Sequence, residues 1–288
     1  MAEQLSVLMT GSKGFIGSHL APRLLSLGWR VVEWEGDVRA VGGFTQPVDV
    51  VLHLAAVSRH DAFAAEPHEA FDVNVTGTLA VLNYCKKMGA RPVLASTSGV
   101  YGEPEGNGQL SEDAPIGTRS PYAISKWLAE NLCRRYAEDM EVASVVLRLF
   151  NVYGPGQHPS FLVPYVVDCL AGSKPITLRM PNAVRDFVYV EDVVDAMTKV
   201  IGLHAEGFKV FNIGSAFRVS VMDIVRQAEE IFGKAVAISA TDPHGGEPSA
   251  VVADNTRARR ELGWSPKWDL KAGLAMLRAP SDVARMGL

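Results

Sequence analysis

The sequence predicts an α/β protein: a doubly wound parallel sheet with a smaller, interleaved C-terminal region. Three observations carry that prediction. Short apolar runs alternate along the chain with longer stretches of helical spacing. Runs such as Val50-Val51-Leu52 and Val145-Val146-Leu147 are continuously apolar, as strands covered on both faces must be. Between the first strand and the first helix, Gly11, Gly14 and Gly17 recur at a spacing of three, which makes the sheet Rossmann-like. With 288 residues, 48% of them apolar, the chain is long enough for a large core.

The elements follow in order. Strands are expected at 6–10, 30–34, 48–54, 91–96 and 142–149, and helices at 16–27, 74–88 and 121–139. After Asn151 the texture changes: 152–185 is rich in Pro and Gly, followed by a helix at 192–202, a strand at 209–213 and a helix at 221–232. Residues 1–152 and 186–213 are assigned to a dinucleotide-binding domain, and 153–185 with 214–288 to a substrate domain.

Composition excludes several classes. Lys and Arg number 28 against 32 Asp and Glu, a net charge of −4 that offers no basic field to nucleic acid or acidic lipid. The N-terminus lacks a basic segment followed by an apolar stretch, and no run of 18 apolar residues occurs, so a cytoplasmic protein without a membrane partner is expected. Three cysteines without a C-x-x-C and seven histidines without ligand spacing argue against disulfides and metal.

Chemistry begins at Thr10-Gly11-Ser12-Lys13-Gly14-Phe15-Ile16-Gly17. Glycine there permits a sharp turn and lets backbone approach a pyrophosphate, while the helix start presents free N–H groups to it. A strand-to-helix turn without ligand is the alternative. Glu35, at the end of the second strand, can accept from a ribose diol and repel a 2′-phosphate, favouring NAD. Arg39 nearby leaves NADP as the lesser reading. Tyr122 and Lys126, four apart on an expected helix, share one face, and an ammonium beside a phenol lowers the phenol pKa toward that of a general acid/base. The strand end Ser96-Thr97-Ser98-Gly99 adds hydroxyls where parallel strands line a ligand crevice.

Together these residues resemble the extended short-chain dehydrogenase/reductase superfamily, and within it the nucleotide-sugar epimerases and dehydratases. The likeness continues through His53-Leu54-Ala55-Ala56, Asn74-Val75-Thr76-Gly77, Arg148-Leu149-Phe150-Asn151-Val152-Tyr153-Gly154-Pro155, Arg185-Asp186-Phe187 and Glu261-Leu262-Gly263-Trp264. The resemblance implies that Tyr122 is the acid/base, that Lys126 also holds the nicotinamide ribose and that Thr97 is the hydroxyl partner. It places Gly11, Gly14, Phe15, Ile16, Gly17, Glu35, Asp37, Leu54, Ala55, Ala56 and Asn74 along NAD. It places Thr97, Ser98, Asn151, Arg185 and His244 on a nucleotide-diphosphate sugar.

Departures from the family pattern narrow the reading. Dehydrating relatives carry an Asp-Glu pair after the catalytic threonine, and decarboxylating relatives a Glu, where this chain has Ser98 and Gly99. Between Glu35 and Val48 a helix and a strand are missing, and His244 stands where relatives place a phosphate-binding arginine. The resulting expectation is an NAD-dependent nucleotide-sugar epimerase acting at C4 through a transient ketone. A ketoreductase is the alternative within the class, and a dinucleotide-sensing regulatory protein the alternative outside it. A homodimer formed by the helices at 74–88 and 121–139 is expected, although Leu79, Leu82, Leu128 and Leu132 would equally suit packing on the sheet.

Overall fold

The computed structural model describes residues 5–102, 104, 108–241 and 250–278. His244 lies outside the described residues. A parallel sheet in the order β11-β6-β4-β3-β1-β2 forms the centre. Its strands are β1 (Ser6–Thr10), β2 (Arg30–Trp34), β3 (Val50–His53), β4 (Arg91–Thr97), β6 (Ser144–Leu149) and β11 (Phe208–Ile213). The chain passes from β1 outward to β2, then returns to place β3 on the other side of β1. That reversal opens a crevice at the strands' carboxyl ends, where Gly11 and Leu54 emerge.

The shortened link after Glu35 is a 3-10 turn at Val38–Gly43, and β2 is the sheet edge. Val38 and Val41 of that turn are buried against helix α4 (Gly77–Met88), so a turn covers what a helix and strand would otherwise cover.

Helices sandwich the sheet. On one face, Leu20 and Leu24 of α1 (Phe15–Ser26) meet Val193 and Met197 of α7 (Val190–Ile201) over Val7, Leu52 and Leu147. On the other, Val81 and Leu82 of α4 and Ala129 and Cys133 of α5 (Pro121–Met140) cover Leu8, Val51 and Val146. Continuous apolar strands are thereby buried on both sides, as their composition requires. The expected helix start at Asn74 is corrected. Short helices α2 (His60–Ala65) and α3 (Pro67–Phe71) lead through a π-helical turn at Asp72–Thr76 directly into α4. Phe71 and Thr76 keep helical backbone angles and neither provides a side-chain cap, so nothing stops the helix there.

The remaining chain builds a second, smaller core. In it α6 (Leu162–Ala171) and α8 (Val221–Phe232) pack Val166, Leu170, Val225 and Ala228 against Ile176 and Leu178 of β8 (Ile176–Arg179). Strand β8 pairs in parallel with β13 (Ile238–Thr241). A mixed sheet joins β5 (Gln109–Leu110), β9 (Val184–Arg185), β12 (Val219–Ser220) and β14 (Ala250–Ala253), while β7 (Asn151–Tyr153) pairs with β10 (Phe187–Tyr189). These pieces are two to four residues long and pair across large sequence separations, so sequence periodicity does not reveal them. Two short helices, α9 (Thr256–Leu262) and α10 (Leu270–Ala275), follow, and the fully buried Trp264 between them donates to Asp192 O at 2.9 Å.

Candidate active site

A cleft of about 450 Å3 runs along the carboxyl ends of β1, β3, β4 and β6. At one end lies the glycine loop. Gly11 has φ +75°, and a Cβ there would stand 2.6 Å from Ala55 N. A Cβ on Gly17 would stand 2.3 Å from Gly11 O, so the helix can approach the loop only without a side chain. Helix α1 begins at Gly14 with no side-chain cap and no acidic residue in its first turn, and its first residues line the cleft. An uncapped, positive helix start on a cleft wall fits a dinucleotide pyrophosphate.

Behind this loop a hydrogen-bond chain fixes the neighbouring crossing. Thr78 has one hydroxyl proton and donates it to Asn74 O at 2.6 Å. His53 Nε2–H must therefore be the donor to Thr78 Oγ1, at 3.0 Å. That leaves Nδ1 to accept from the Thr10 hydroxyl at 2.9 Å, while Thr10 Oγ1 accepts from Ala55 N–H at 3.3 Å. The arrangement needs a neutral imidazole, and burial, with Lys126 adding to it, pushes the His53 pKa down to about 3.

Several expected cofactor residues occupy other positions. Asn74 is buried behind the wall: its amide accepts from Val57 N and donates to Val57 O and Ser125 Oγ, clamping the segment after β3 to α5. Its role is thus to shape the wall. Ala55 supports Gly11 through its backbone, whereas Leu54 and Ala56 line the cleft. Glu35 pairs with Lys13 of the glycine loop at 3.0 Å, both well exposed, and stands outside the cleft wall. Asp37 caps the 3-10 turn through Arg39 N at 2.9 Å and pairs with the Arg39 guanidinium, which holds its carboxyl below the usual range. Arg39 also binds Glu69 at 2.8 Å and Asp72 at 2.7 Å. A guanidinium shared among three carboxylates has no surplus charge for a 2′-phosphate.

The residues expected to react line the same cleft. Ser120 caps α5 by accepting from Ala123 N at 3.1 Å, and Pro121 occupies the first turn, where its missing N–H costs nothing. Tyr122 follows immediately, its ring edge-on to Phe63 at 6.1 Å, and shares the cleft wall with Lys126, Thr97 and Ser98. Thr97 Oγ1 accepts from Gly99 N–H at 3.1 Å, so its own hydroxyl proton remains for another acceptor. Lys126 is 3% exposed and makes no hydrogen bond or ion pair among the described residues. One expectation is corrected here: the phenol is not acidified. Burial pushes the Tyr122 pKa up to about 12 and the Lys126 pKa down to about 8, Cys133 and Glu130 partly offsetting the latter. Loss of hydration disfavours both charged forms, and it outweighs any help Lys126 gives the phenolate.

On the substrate side, Asn151 lines the cleft, with its Nδ2 donating to Asp186 O at 2.9 Å. Arg185 lies outside the wall, and its Nη1 donates to Val184 O at 3.0 Å. Sequence reasoning missed Arg59, Gln157, His158 and Phe161, which close the cleft from two segments. Arg59 Nη1 donates to His158 Nε2 at 3.1 Å across that opening. Their only signal was position: Gln157 and His158 follow the Gly154-Pro155 turn, and Arg59 follows the β3 exit.

A dinucleotide-sized crevice at the switch point of a parallel sheet, with a tyrosine, a lysine and a threonine converging on it, defines a nucleotide-cofactor enzyme of the dehydrogenase/reductase type. Residues 7–214 match the NAD dependent epimerase/dehydratase family, and the chain belongs to that family. It is 31% identical to the uncharacterised UDP-glucose epimerase YtcB of Bacillus subtilis, over 94% of this chain and 96% of that protein. Among solved structures, UDP-glucose 4-epimerase of Thermotoga maritima with UDP-glucose superposes with a TM-score of 0.88 at 28% identity, covering 95% of this chain and 97% of that one. MoeE5 in complex with UDP-glucuronic acid and NAD gives 0.89 at 29% identity, covering 98% of this chain and 100% of that one.

Proposed function

We propose that this protein is an NAD-dependent nucleotide-sugar epimerase that inverts C4 through a transient 4-keto sugar. The observation that carries the reading is the composition of the cleft wall: Tyr122, Lys126 and Thr97 converge there, and no carboxylate among the described residues joins them. Dehydration or decarboxylation would call for further acid or base groups beside Thr97, where Ser98 and Gly99 stand.

Bound NAD supplies the hydride acceptor and donor. Tyr122 Oη takes the sugar hydroxyl proton and returns it, with Lys126 beside it on the wall. The Thr97 hydroxyl donates to the oxygen that alternates between alcohol and ketone. Diphosphate binding falls to Asn151, which lines the cleft. The shared Arg39 guanidinium supports NAD over NADP.

The enzyme acts as a homodimer in this reading. Leu79 and Leu128 are 36% and 43% exposed, with Ile124 beside them at 39%, on the outer sides of α4 and α5. Leu82 is buried and Leu132 packs on the sheet core, so the four leucines divide between the two roles.

The test is to purify the protein, release and quantify any bound dinucleotide, and incubate it with UDP-glucose or UDP-galactose without added cofactor. Retained NAD and interconversion of the two sugars are expected. No interconversion of these sugars, but reduction of a UDP-4-keto-hexose with stoichiometric consumption of added NADH or NADPH, would replace this reading with a ketoreductase. Light scattering reads the dimer.

A further inference from the structure

Beneath the reactive groups lies a buried ion pair that the chemistry above leaves unused. Ser96 and Arg148 are register partners on β4 and β6, and their side chains point to the sheet face that α5 covers. Glu130 of α5 meets both. Its carboxylate accepts from the Ser96 hydroxyl, and from Arg148 Nη2 at 2.8 Å and Nε at 3.2 Å. Arg148 is completed by Glu112 O at 3.0 Å and by the Tyr101 ring, 4.8 Å from its guanidinium carbon. The Arg148 and Glu130 side chains are 2% and 1% exposed, within an otherwise apolar layer.

Such a pair contributes little net stability, because desolvation of both charges offsets their attraction, and apolar replacements are often as stable or more so. It does restrict geometry. Glu130 follows Lys126 by four residues and Tyr122 by eight, so all three lie along one face of α5. Ser96 directly precedes Thr97. The helix cannot slide or rotate on the sheet without unpairing a buried carboxylate from both strands.

We propose that Glu130, Arg148 and Ser96 form a positioning unit that sets the height and rotation of the Tyr122–Lys126 face relative to Thr97. Glu130 and Arg148 stand behind the cleft wall, and Ser96, although it lines the cleft, gives its hydroxyl proton to Glu130; each acts through its neighbour on the same strand or helix. The proposal rests on the epimerase reading for its rate assay but not for its second measurement. Glu130 also stands one turn from Lys126, where its negative charge opposes the effect of burial on the ammonium.

The experiment compares wild type, Ser96→Ala and the double variant Glu130→Leu/Arg148→Met, all loaded with NAD. The double variant removes both charges together, so folding need not accommodate an unpaired one. Its melting temperature should equal or exceed that of wild type. Its kcat on UDP-glucose should fall about 100-fold while KM changes less than twofold, the signature of misplaced reacting groups. Ser96→Ala should lose about tenfold in kcat. A well-folded double variant with kcat within twofold of wild type would overturn the proposal. Should wild type itself turn over no nucleotide sugar, the epimerase reading fails alone. Positioning is then read from the Tyr122 ionisation by ultraviolet difference titration, with Tyr122→Phe as the blank. A shift of at least one pH unit between wild type and double variant supports it, and coincident titrations overturn it.

Discussion

Two regions flanking the cleft handle charge in opposite ways. Beyond the glycine loop and outside the cleft wall, Lys13, Glu35, Asp37, Arg39, Glu69 and Asp72 form ion pairs at the surface, where water and salt screen them. In the catalytic region, Lys126, Glu130 and Arg148 are almost wholly buried, and each charge there costs several kcal/mol unless compensated. Surface pairs of the first kind bias which ligand binds. Buried groups of the second kind are held at a cost to stability, which is what a reaction centre requires. Substitutions in the two regions should therefore differ in size and in sign.

The largest effect is expected where a proton moves. Tyr122→Phe removes the proposed acid/base, and kcat should drop by about 10^2 to 10^4, with folding and NAD content unchanged. Retained turnover would move the acid/base role elsewhere. Next comes the glycine loop. Gly17→Val drives a side chain into Gly11 O and Ser12 O, both backbone atoms that cannot swing aside. The loop must open, and NAD affinity measured by calorimetry should weaken by about ten- to hundredfold.

Lys126→Met should abolish turnover yet stabilise the fold, since it replaces an only partly compensated buried ammonium with an apolar chain of similar volume. The sign follows from linkage. The folded pKa is lowered to about 8, whereas an unfolded lysine titrates near 10.4, so below pH 8 the native state carries the full penalty. That penalty is on the order of 3 kcal/mol. Between pH 8 and about 10.4 the unfolded chain binds more protons, and wild-type stability gains on the variant. Chemical denaturation of both proteins at pH 7 and pH 9.5 should show the gap narrowing, and a gap that stays constant would place the ammonium in water.

The same contrast explains what was legible in the sequence. Gly11, Gly14 and Gly17 were readable because a local turn dictates them, and Tyr122 with Lys126 because four residues of helix set their face. The sheet followed from apolar strands, and the short link after Glu35 from simple counting. Asn74 was misplaced because its helix begins earlier, at Pro67, and its amide finds Val57 only once the chain folds back. Acidification of Tyr122 failed as an inference because burial, a tertiary property, outweighs the neighbour supplied by helical spacing. Ser96, Glu130 and Arg148 come from three separate elements, so no local pattern joins them.

The smallest effect belongs to the exposed region, and it concerns selectivity more than stability. Arg39 is shared by Asp37, Glu69 and Asp72, all three partly exposed. Changing Glu69→Gln and Asp72→Asn together leaves one carboxylate on the guanidinium and brings the cluster from net negative to neutral. Stability should change little, as for other exposed pairs. NADP affinity should improve by about tenfold, the worth of one charge-assisted contact to a 2′-phosphate, while NAD affinity stays within twofold. Equal gains for both cofactors would mean that the guanidinium acts on the pyrophosphate they share, and would remove Arg39 from the account of selectivity. A clear loss of stability would show that the cluster also anchors the 3-10 turn at Val38–Gly43 against the start of α4, and the contrast between the two regions would then be less sharp than their exposure implies.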